Sequence, residues 1–255
     1  MSITGQPDDE PGGGPQRVGV AISDITTGLY ATIGILSALR HRDRTGEGQY
    51  IDLALLDTQV GWLANQASNY LTGGVLPKRT GKWHPNLAPY QPFKTSDGNI
   101  IIAVGNDNQF ASLCQLIGLD DLIIDERFTT NPMRNRNRLA LEGLLQKELE
   151  KHSSSYWLEQ LPRAGVPASA INNIAEAFEM PQIKAREMLI ELEHPLSGTI
   201  PAVANPLKFS RTPVEYRNAA PTHGADTRSV LESVLGLDQD EIEQLAKQGA
   251  IGDIT

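Results

Sequence analysis

His84, Asn86, Tyr90 and Gln91 fall within the run Trp83-His84-Pro85-Asn86-Leu87-Ala88-Pro89-Tyr90-Gln91-Pro92-Phe93. They supply an imidazole, two amides and a phenol. Amide and imidazole groups hydrogen-bond acyl or carboxylate oxygens without competing as nucleophiles, which suits them to bind a carboxylic acid or its ester. The run also crowds aromatic and apolar side chains where a plain connector would be polar, and Pro85, Pro89 and Pro92 stiffen it. A Pro-rich turn that merely packs Trp83 and Tyr90 on the core would use the same residues. Lys78, Arg79 and Lys82 lie just ahead as a local basic cluster, fitted to a phosphate or an acid substrate and equally to a solvated loop.

Other constellations are missing from the sequence. It holds no nucleophile elbow, Walker loop, paired-cysteine zinc site or His-x-x-x-His helix, and the five histidines are scattered. Gly12-Gly13-Gly14 is followed by no Lys-Ser/Thr pair, and Asp8, Asp9 and Glu10 repel phosphate, so residues 6–16 read as a flexible linker. Asp24, Asp52 and Asp57 are candidate nucleophiles, but each reads first as a helix-start residue that caps or complements the dipole. Cys114, the single cysteine, has Leu113, Leu116 and Ile117 as neighbours. It reads as a buried helical thiol in a reducing compartment.

The elements that must hold the loop follow from periodicity. Residues 90–95 and 99–104 form a hairpin through Ser96-Asp97-Gly98. Ahead of it, a helix capped by Ser23 or Asp24 carries Leu29, Ile33, Leu36 and Leu39 and ends at Arg40-His41-Arg42 before Thr45-Gly46. A second helix spans 53–71, with Leu55, Leu56, Val60, Leu63 and Ala67 as its buried stripe. Behind the hairpin come helices over 108–117, 132–151 and 154–163, a strand over 166–171, strands over 188–194 and 199–209, and helices over 227–235 and 240–248.

A length of 255 residues is ample for a large core without staples. The net charge of −9 argues against wrapping a polyanion such as nucleic acid, while leaving room for a small anionic ligand. No leader-like start and no apolar stretch of membrane-spanning length stand out, so the expectation is a soluble cytoplasmic protein without a membrane partner.

Three segments together resemble the family III CoA-transferases, the group that also contains the α-methylacyl-CoA racemases. They are residues 83–98, Arg44-Thr45-Gly46-Glu47-Gly48-Gln49-Tyr50-Ile51-Asp52 and Val18-Gly19-Val20-Ala21-Ile22-Ser23-Asp24, and the likeness runs over residues 1–251. The resemblance implies an α/β chain that is the C-terminal part of such an enzyme. Residues 1–75 would close the first segment of an incomplete Rossmann-like large domain, 76–195 would be an inserted smaller α+β domain, and 196–255 would return to the large domain.

It further implies transfer of CoA from an acyl-CoA to a free carboxylic acid through an aspartyl intermediate, in an interlocked homodimer. CoA thioesters would be substrates and no cofactor would be permanently bound. The nucleophilic aspartate of the family precedes the segment matching Met1, so no catalytic residue is expected here and the chain alone is expected to be inactive. In the family the 83–98 loop lies over the thioester and shields reactive intermediates from water, making His84, Asn86, Tyr90 and Gln91 the expected substrate-binding residues. The racemase branch tends to carry glutamate where this chain has Gln91, and a neutral amide cannot move protons as a carboxylate does, which favours transfer. The family's Gly-Glu-His-Thr stands here as Gly224-Ala225-Asp226-Thr227, without the carboxylate and imidazole. A racemase or epimerase, and a non-catalytic truncated or split-enzyme chain, are the alternatives.

Overall fold

The computed structural model describes residues 1–252 and is mixed α/β, with a three-stranded and a two-stranded sheet. It separates into two compact units, Met1–Ile171 and Asn172–Thr255. That boundary coincides with neither expected domain boundary.

The hairpin is the heart of the first unit. β1 (Tyr90–Lys94) and β2 (Asn99–Ala103) pair antiparallel from Tyr90↔Ala103 to Lys94↔Asn99, and β3 (Ala168–Ala170) adds to the other side of β2. Side chains alternate between sheet faces, so Phe93, Ile100 and Ile102 all bury while their neighbours stay more open. Three helices cover that apolar face: α4 (Asp107–Ile117), α6 (Arg138–Leu149) and α7 (Ser154–Arg163). Their buried residues recur at helical spacing: Phe110, Leu113, Cys114 and Ile117, then Leu141, Leu145 and Leu149, then Trp157 and Leu161. Asn106 caps α4 by accepting from the Gln109 N–H, Gly118 at φ 74° ends it, and Ser153 caps α7.

The single helix expected over 132–151 is two. α5 (Asn131–Arg136) stops at Asn137, whose side chain donates to the Met133 carbonyl at 3.0 Å and the Arg127 carbonyl at 3.1 Å before α6 begins. Such side-chain bonds compete with the helical ladder.

The N-terminal helices depart further from expectation. α1 (Ile22–Thr45) starts at an Ala21 cap without a side-chain bond, so neither Ser23 nor Asp24 caps it; both lie in its first turn. Its end is as expected, at Gly46 with φ 80°. The helix expected over 53–71 is broken into α2 (Leu55–Gly61) and α3 (Ala64–Leu71), with Ala64 at φ 47°. Asp57 sits in the first turn of α2, but Asp52 precedes that helix in non-helical chain. Thr26 is the buried residue of α1, whereas Leu29, Ile33 and Leu36 are 60–61% exposed, and the stripe Leu55, Leu56 and Val60 is exposed too.

Contrary to the sequence expectation, α1 is by length and composition apolar enough to cross a bilayer. The reason is the uncharged run between Asp24 and Arg40. A core helix whose cover is supplied elsewhere passes the same test, and the Thr, Ser and Gly residues along α1 fit that role. Residues 6–16 are also more ordered than a linker: the Gly14 N–H donates to the Gln6 carbonyl, the Gln16 N–H to the Thr4 carbonyl, and Asp8 pairs with Arg79.

In the second unit, α8 (Ile174–Glu179) and α9 (Pro181–Ala185) were not anticipated from the sequence, although Asn173 and Glu176 form a capping box at the start of α8. β4 (Leu189–His194) and β5 (Gly198–Val203) form an antiparallel hairpin, shorter at its far end than the expected 199–209. α10 (Thr227–Leu235) and α11 (Gln239–Lys247) close the described chain, with Ile242 buried.

Candidate functional site

The loop ahead of β1 is closed on itself. The His84 N–H donates to the Tyr90 carbonyl at 3.0 Å, and the Thr80 hydroxyl donates to the Trp83 carbonyl at 2.7 Å. His84 and Tyr90 stack with ring centroids 5.0 Å apart and planes 10° from parallel. His84 Nδ1 accepts from the backbone N–H groups of Asn86 and Leu87, both at 3.1 Å. Burial, then the positive charge of Arg138, hold the imidazole below its usual pKa.

Asn86 is a joint between elements. Its Oδ1 accepts from Asn65 at 2.9 Å, its Nδ2 donates to Asn69 Oδ1 at 3.2 Å, and its carbonyl accepts from Asn131 Nδ2 at 2.9 Å. Asn131 Oδ1 also receives the Ala88 N–H, and Asn135 Nδ2 donates to the Pro85 carbonyl. Residues 85–88 are thus clasped between α3 and α5 by carboxamides. Asn65 and Asn69, like Asn131 and Asn135, are four positions apart, which puts each pair on one helix face.

Tyr90 and Gln91 point opposite ways, as neighbours on a strand must. Tyr90 is 37% exposed, whereas Gln91 is 4% exposed on the core-facing side with Phe93. Gln91 Nε2 makes no hydrogen bond of normal geometry within the described residues, yet the amide is close enough to Glu142 to help hold that carboxylate ionised. Of the four expected binding residues, then, His84 and Tyr90 stand together, Asn86 sits beside them with its amide engaged, and Gln91 lies on the other face.

Glu142 carries no signal of its own in the sequence. Its side chain is 17% exposed, pairs with Lys82 and accepts from Trp83 Nε1 at 2.8 Å. Burial alone would raise its pKa, but the hydrogen bonds from Lys82 and Trp83 and the Lys82 charge outweigh that and lower it. Arg134 was equally hidden. Its guanidinium is buried over the Phe110 ring and donates to the carbonyls of Ala88 at 2.9 Å and Phe128 at 3.0 Å and to Asp107 at 2.6 Å. Only the paired spacing of the asparagines offered a sequence signal for this scaffold.

The basic cluster is mostly engaged. Arg79 pairs with Asp8 and donates to the Gln6 carbonyl, and Lys82 pairs with Glu142. Lys78 borders a recess shared with Asp8 and Asp9, whose charge disfavours phosphate there. Cys114 is fully buried, and burial pushes its thiol up to about 12, which fits an inert core residue. Among the described residues no group of His, Cys, Asp and Glu converges as a metal site.

The model of CoA-transferase family III matches residues 1–227. The chain belongs to that family. It is 42% identical over 231 residues to a succinate–glutarate CoA-transferase of Agrobacterium fabrum, covering 91% of this chain and 57% of that protein. It is 37% identical over 251 residues to the human succinyl-CoA:glutarate CoA-transferase, covering 98% of this chain and 56% of that one. Among solved structures, a CAIB/BAIF family protein from Brucella suis superposes with a TM-score of 0.71 at 46% identity, over 91% of this chain and 60% of that one. The chain therefore spans a little over half the length of the curated family III relatives it matches.

Proposed function

We propose that this chain works as the C-terminal part of a CoA-transferase that moves CoA from an acyl-CoA to a free carboxylic acid, with short dicarboxylates as donor and acceptor acids. The observation that carries the reading is a loop pinned at both ends and presenting a stacked His84–Tyr90 pair, in a chain 42% identical to a succinate–glutarate CoA-transferase. In this reading residues 1–75 and 196–255 belong to an incomplete Rossmann-like large domain, 76–195 form the inserted domain, and the whole assembles as an interlocked cytoplasmic homodimer acting on small molecules, without nucleic acid or membrane.

The chemistry is a double exchange. An aspartate carboxylate attacks the thioester carbonyl and expels CoA thiolate, leaving a mixed anhydride. The thiolate attacks the aspartyl carbonyl, releases the donor acid and forms an aspartyl-CoA thioester. The acceptor carboxylate then attacks that thioester and expels CoA thiolate, leaving a second mixed anhydride, and the thiolate attacks the acceptor's acyl carbon in that anhydride to give the new acyl-CoA and free the aspartate. Covalent catalysis divides one hard exchange into easier steps. The attacking aspartate is supplied by a segment outside these 255 residues. Supporting this, the chain aligns with 57% of its relative, Asp24 and Asp57 lie in the first turns of α1 and α2, and Asp52 just precedes α2. His84 and Tyr90 would line the acyl end of the site, with Asn86 and Gln91 holding it from behind.

The test is CoA exchange between succinyl-CoA and glutarate, with mass spectrometry for a covalent CoA adduct. The purified chain alone should show neither, and the chain produced with the coding sequence upstream of Met1 should show both. Turnover by the chain alone that vanishes in one Asp→Ala variant at position 24, 52 or 57 would refute the placement of the nucleophile. Deuterium uptake next to the thioester carbonyl without exchange would identify an acyl-CoA epimerase instead.

A further inference from the structure

We propose that His84 is held as a neutral imidazole protonated only at Nε2, so that it meets an acyl or carboxylate oxygen as a hydrogen-bond donor and never acts as a base. The inference deepens the functional reading above and rests on it for the identity of the ligand; the tautomer itself rests on the loop geometry alone.

Two backbone N–H groups, from Asn86 and Leu87, aim at Nδ1 from 3.1 Å. Backbone amides are donors without alternative, so Nδ1 must offer a lone pair, and a neutral ring then carries its proton on Nε2. Turning the ring over would set a C–H edge against both amides and leave two donors unpaired. Protonating Nδ1 would set a third donor against them. The Tyr90 ring, stacked at 5.0 Å, fixes the plane of the imidazole. The position of the residue is fixed as well, because Trp83 just before it is tied to Glu142 and Asn86 just after it is clasped by Asn65, Asn69 and Asn131.

The charged surroundings act in the same sense. Arg138 is the cation whose charge acts on the imidazole, and the Lys82–Glu142 pair bonded to Trp83 is internally compensated. Nε2 makes no hydrogen bond within the described residues, so this atom is left for a ligand. A fixed donor of this kind stabilises charge developing on a carbonyl oxygen as a carboxylate attacks a thioester. It has no free lone pair with which to take a proton from carbon, so His84 serves oxygen recognition in transfer and does not serve proton abstraction.

The experiment is long-range 1H–15N correlation of the full chain labelled at histidine nitrogens, recorded from pH 8 to pH 5, with His84→Asn identifying the resonance. The expected result is the Nε2–H pattern at neutral pH with a midpoint below the ordinary 6.5. An Nδ1–H pattern, or a midpoint at or above 6.5, overturns the proposal. H84N separates the lock from the donor: asparagine Oδ1 reaches the same two amides but leaves nothing at the Nε2 position. H84N should therefore melt with the parent while H84A melts earlier, and equal early melting of both would overturn the lock. In the exchange-competent protein H84N should lower kcat/KM at least tenfold, and unchanged exchange with the tautomer confirmed would overturn the donor role. Lack of exchange in the unsubstituted protein would strike the functional reading instead, with the NMR result still deciding the tautomer.

Discussion

Removing the Arg134 guanidinium should destabilise the first unit by about 3–5 kcal/mol, and most of that should come from two backbone carbonyls rather than from its ion pair. Arg134 is 1% exposed, whereas its partner Asp107 has a side chain 59% exposed. Loss of the arginine leaves Asp107 in water, at little cost. The Ala88 and Phe128 carbonyls, in contrast, belong to buried residues and receive their side-chain bonds from Arg134 Nε and NH1. Orphaning a buried acceptor costs about 1–3 kcal/mol, so two give about 2–6 kcal/mol. The stacking of the guanidinium over the Phe110 ring, at 4.4 Å, adds about 1–2 kcal/mol. Against these losses of about 3–8 kcal/mol, the variant no longer desolvates a charge, which offsets the upper part of that span and leaves a net of about 3–5 kcal/mol.

Arg134→Met fills the volume and isolates the polar terms. Urea unfolding followed by tryptophan fluorescence, to which Trp157 in the same core contributes alongside Trp62 and Trp83, should show the loss as a lower midpoint at similar slope. Asp107→Asn should cost under about 1 kcal/mol, because an exposed carboxylate is well solvated without its partner. The reasoning fails if D107N costs as much as R134M, which would make the ion pair dominant, or if R134M unfolds with the parent, which would mean that the carbonyls find other donors.

Asn86→Ala should lower stability by about 1–3 kcal/mol and speed hydrogen exchange of the Asn86 and Leu87 amides, since it strands the Asn65 and Asn69 amides that meet at that side chain; unchanged exchange would refute the clasp. Acid should destabilise the chain in three steps. The depressed His84 pKa means that the unfolded chain takes up the proton first, so stability falls as pH drops below 6.5, and the depressed Glu142 pKa adds a loss below 4.5. Asp97, lowered mainly by the Ser154 N–H, adds to the loss at lower pH still. H84N should flatten the upper step and Glu142→Gln the middle one, read from urea midpoints across pH; identical profiles would refute the assignment. The bare face of α1 should make the isolated chain associate, and Leu29→Ser with Ile33→Ser and Leu36→Ser should shift its sedimentation toward monomer; a parent chain that sediments as a monomer would count against this.

Where a single physical rule decides an element, the sequence was enough to find it. The hairpin, α4, α7, α10 and α11 appear within a residue or two of their expected bounds, because alternation, apolar spacing and the caps at Asn106, Ser153 and Asp238 agree there. The break at Asn137 depends on carbonyls of Met133 and Arg127 that only the folded chain brings within reach, and the break before Ala64 has no local mark beyond Gly61. α8 and α9 are short enough that periodicity says little, although the capping box at Asn173 was readable. The loop's chemistry was legible by residue type but not by direction. Strand parity sends Gln91 inward and Tyr90 outward, and Asn86 is taken up by partners from α3 and α5 that lie far from it in sequence.

The clasp also joins α3 to the loop and, through Asn131, to α5. The hairpin and its helices own a continuous buried core, from Phe93 through Phe110, Phe128 and Leu145 to Val166, and need nothing further to hold β1. α1 and α2 bury almost no apolar side chains, so their geometry depends on whatever covers them. Asn65 and Asn69 of α3 meet the loop at one side chain, Asn86, whose backbone carbonyl is held by α5 on the core side. A shift of α3 when the bare helices are covered would therefore reach the loop at Asn86. His84 accepts from the Asn86 N–H, so the imidazole is the first group toward any ligand that such a shift would turn. Asn86 is thus the side chain that ties α3 to the loop carrying His84.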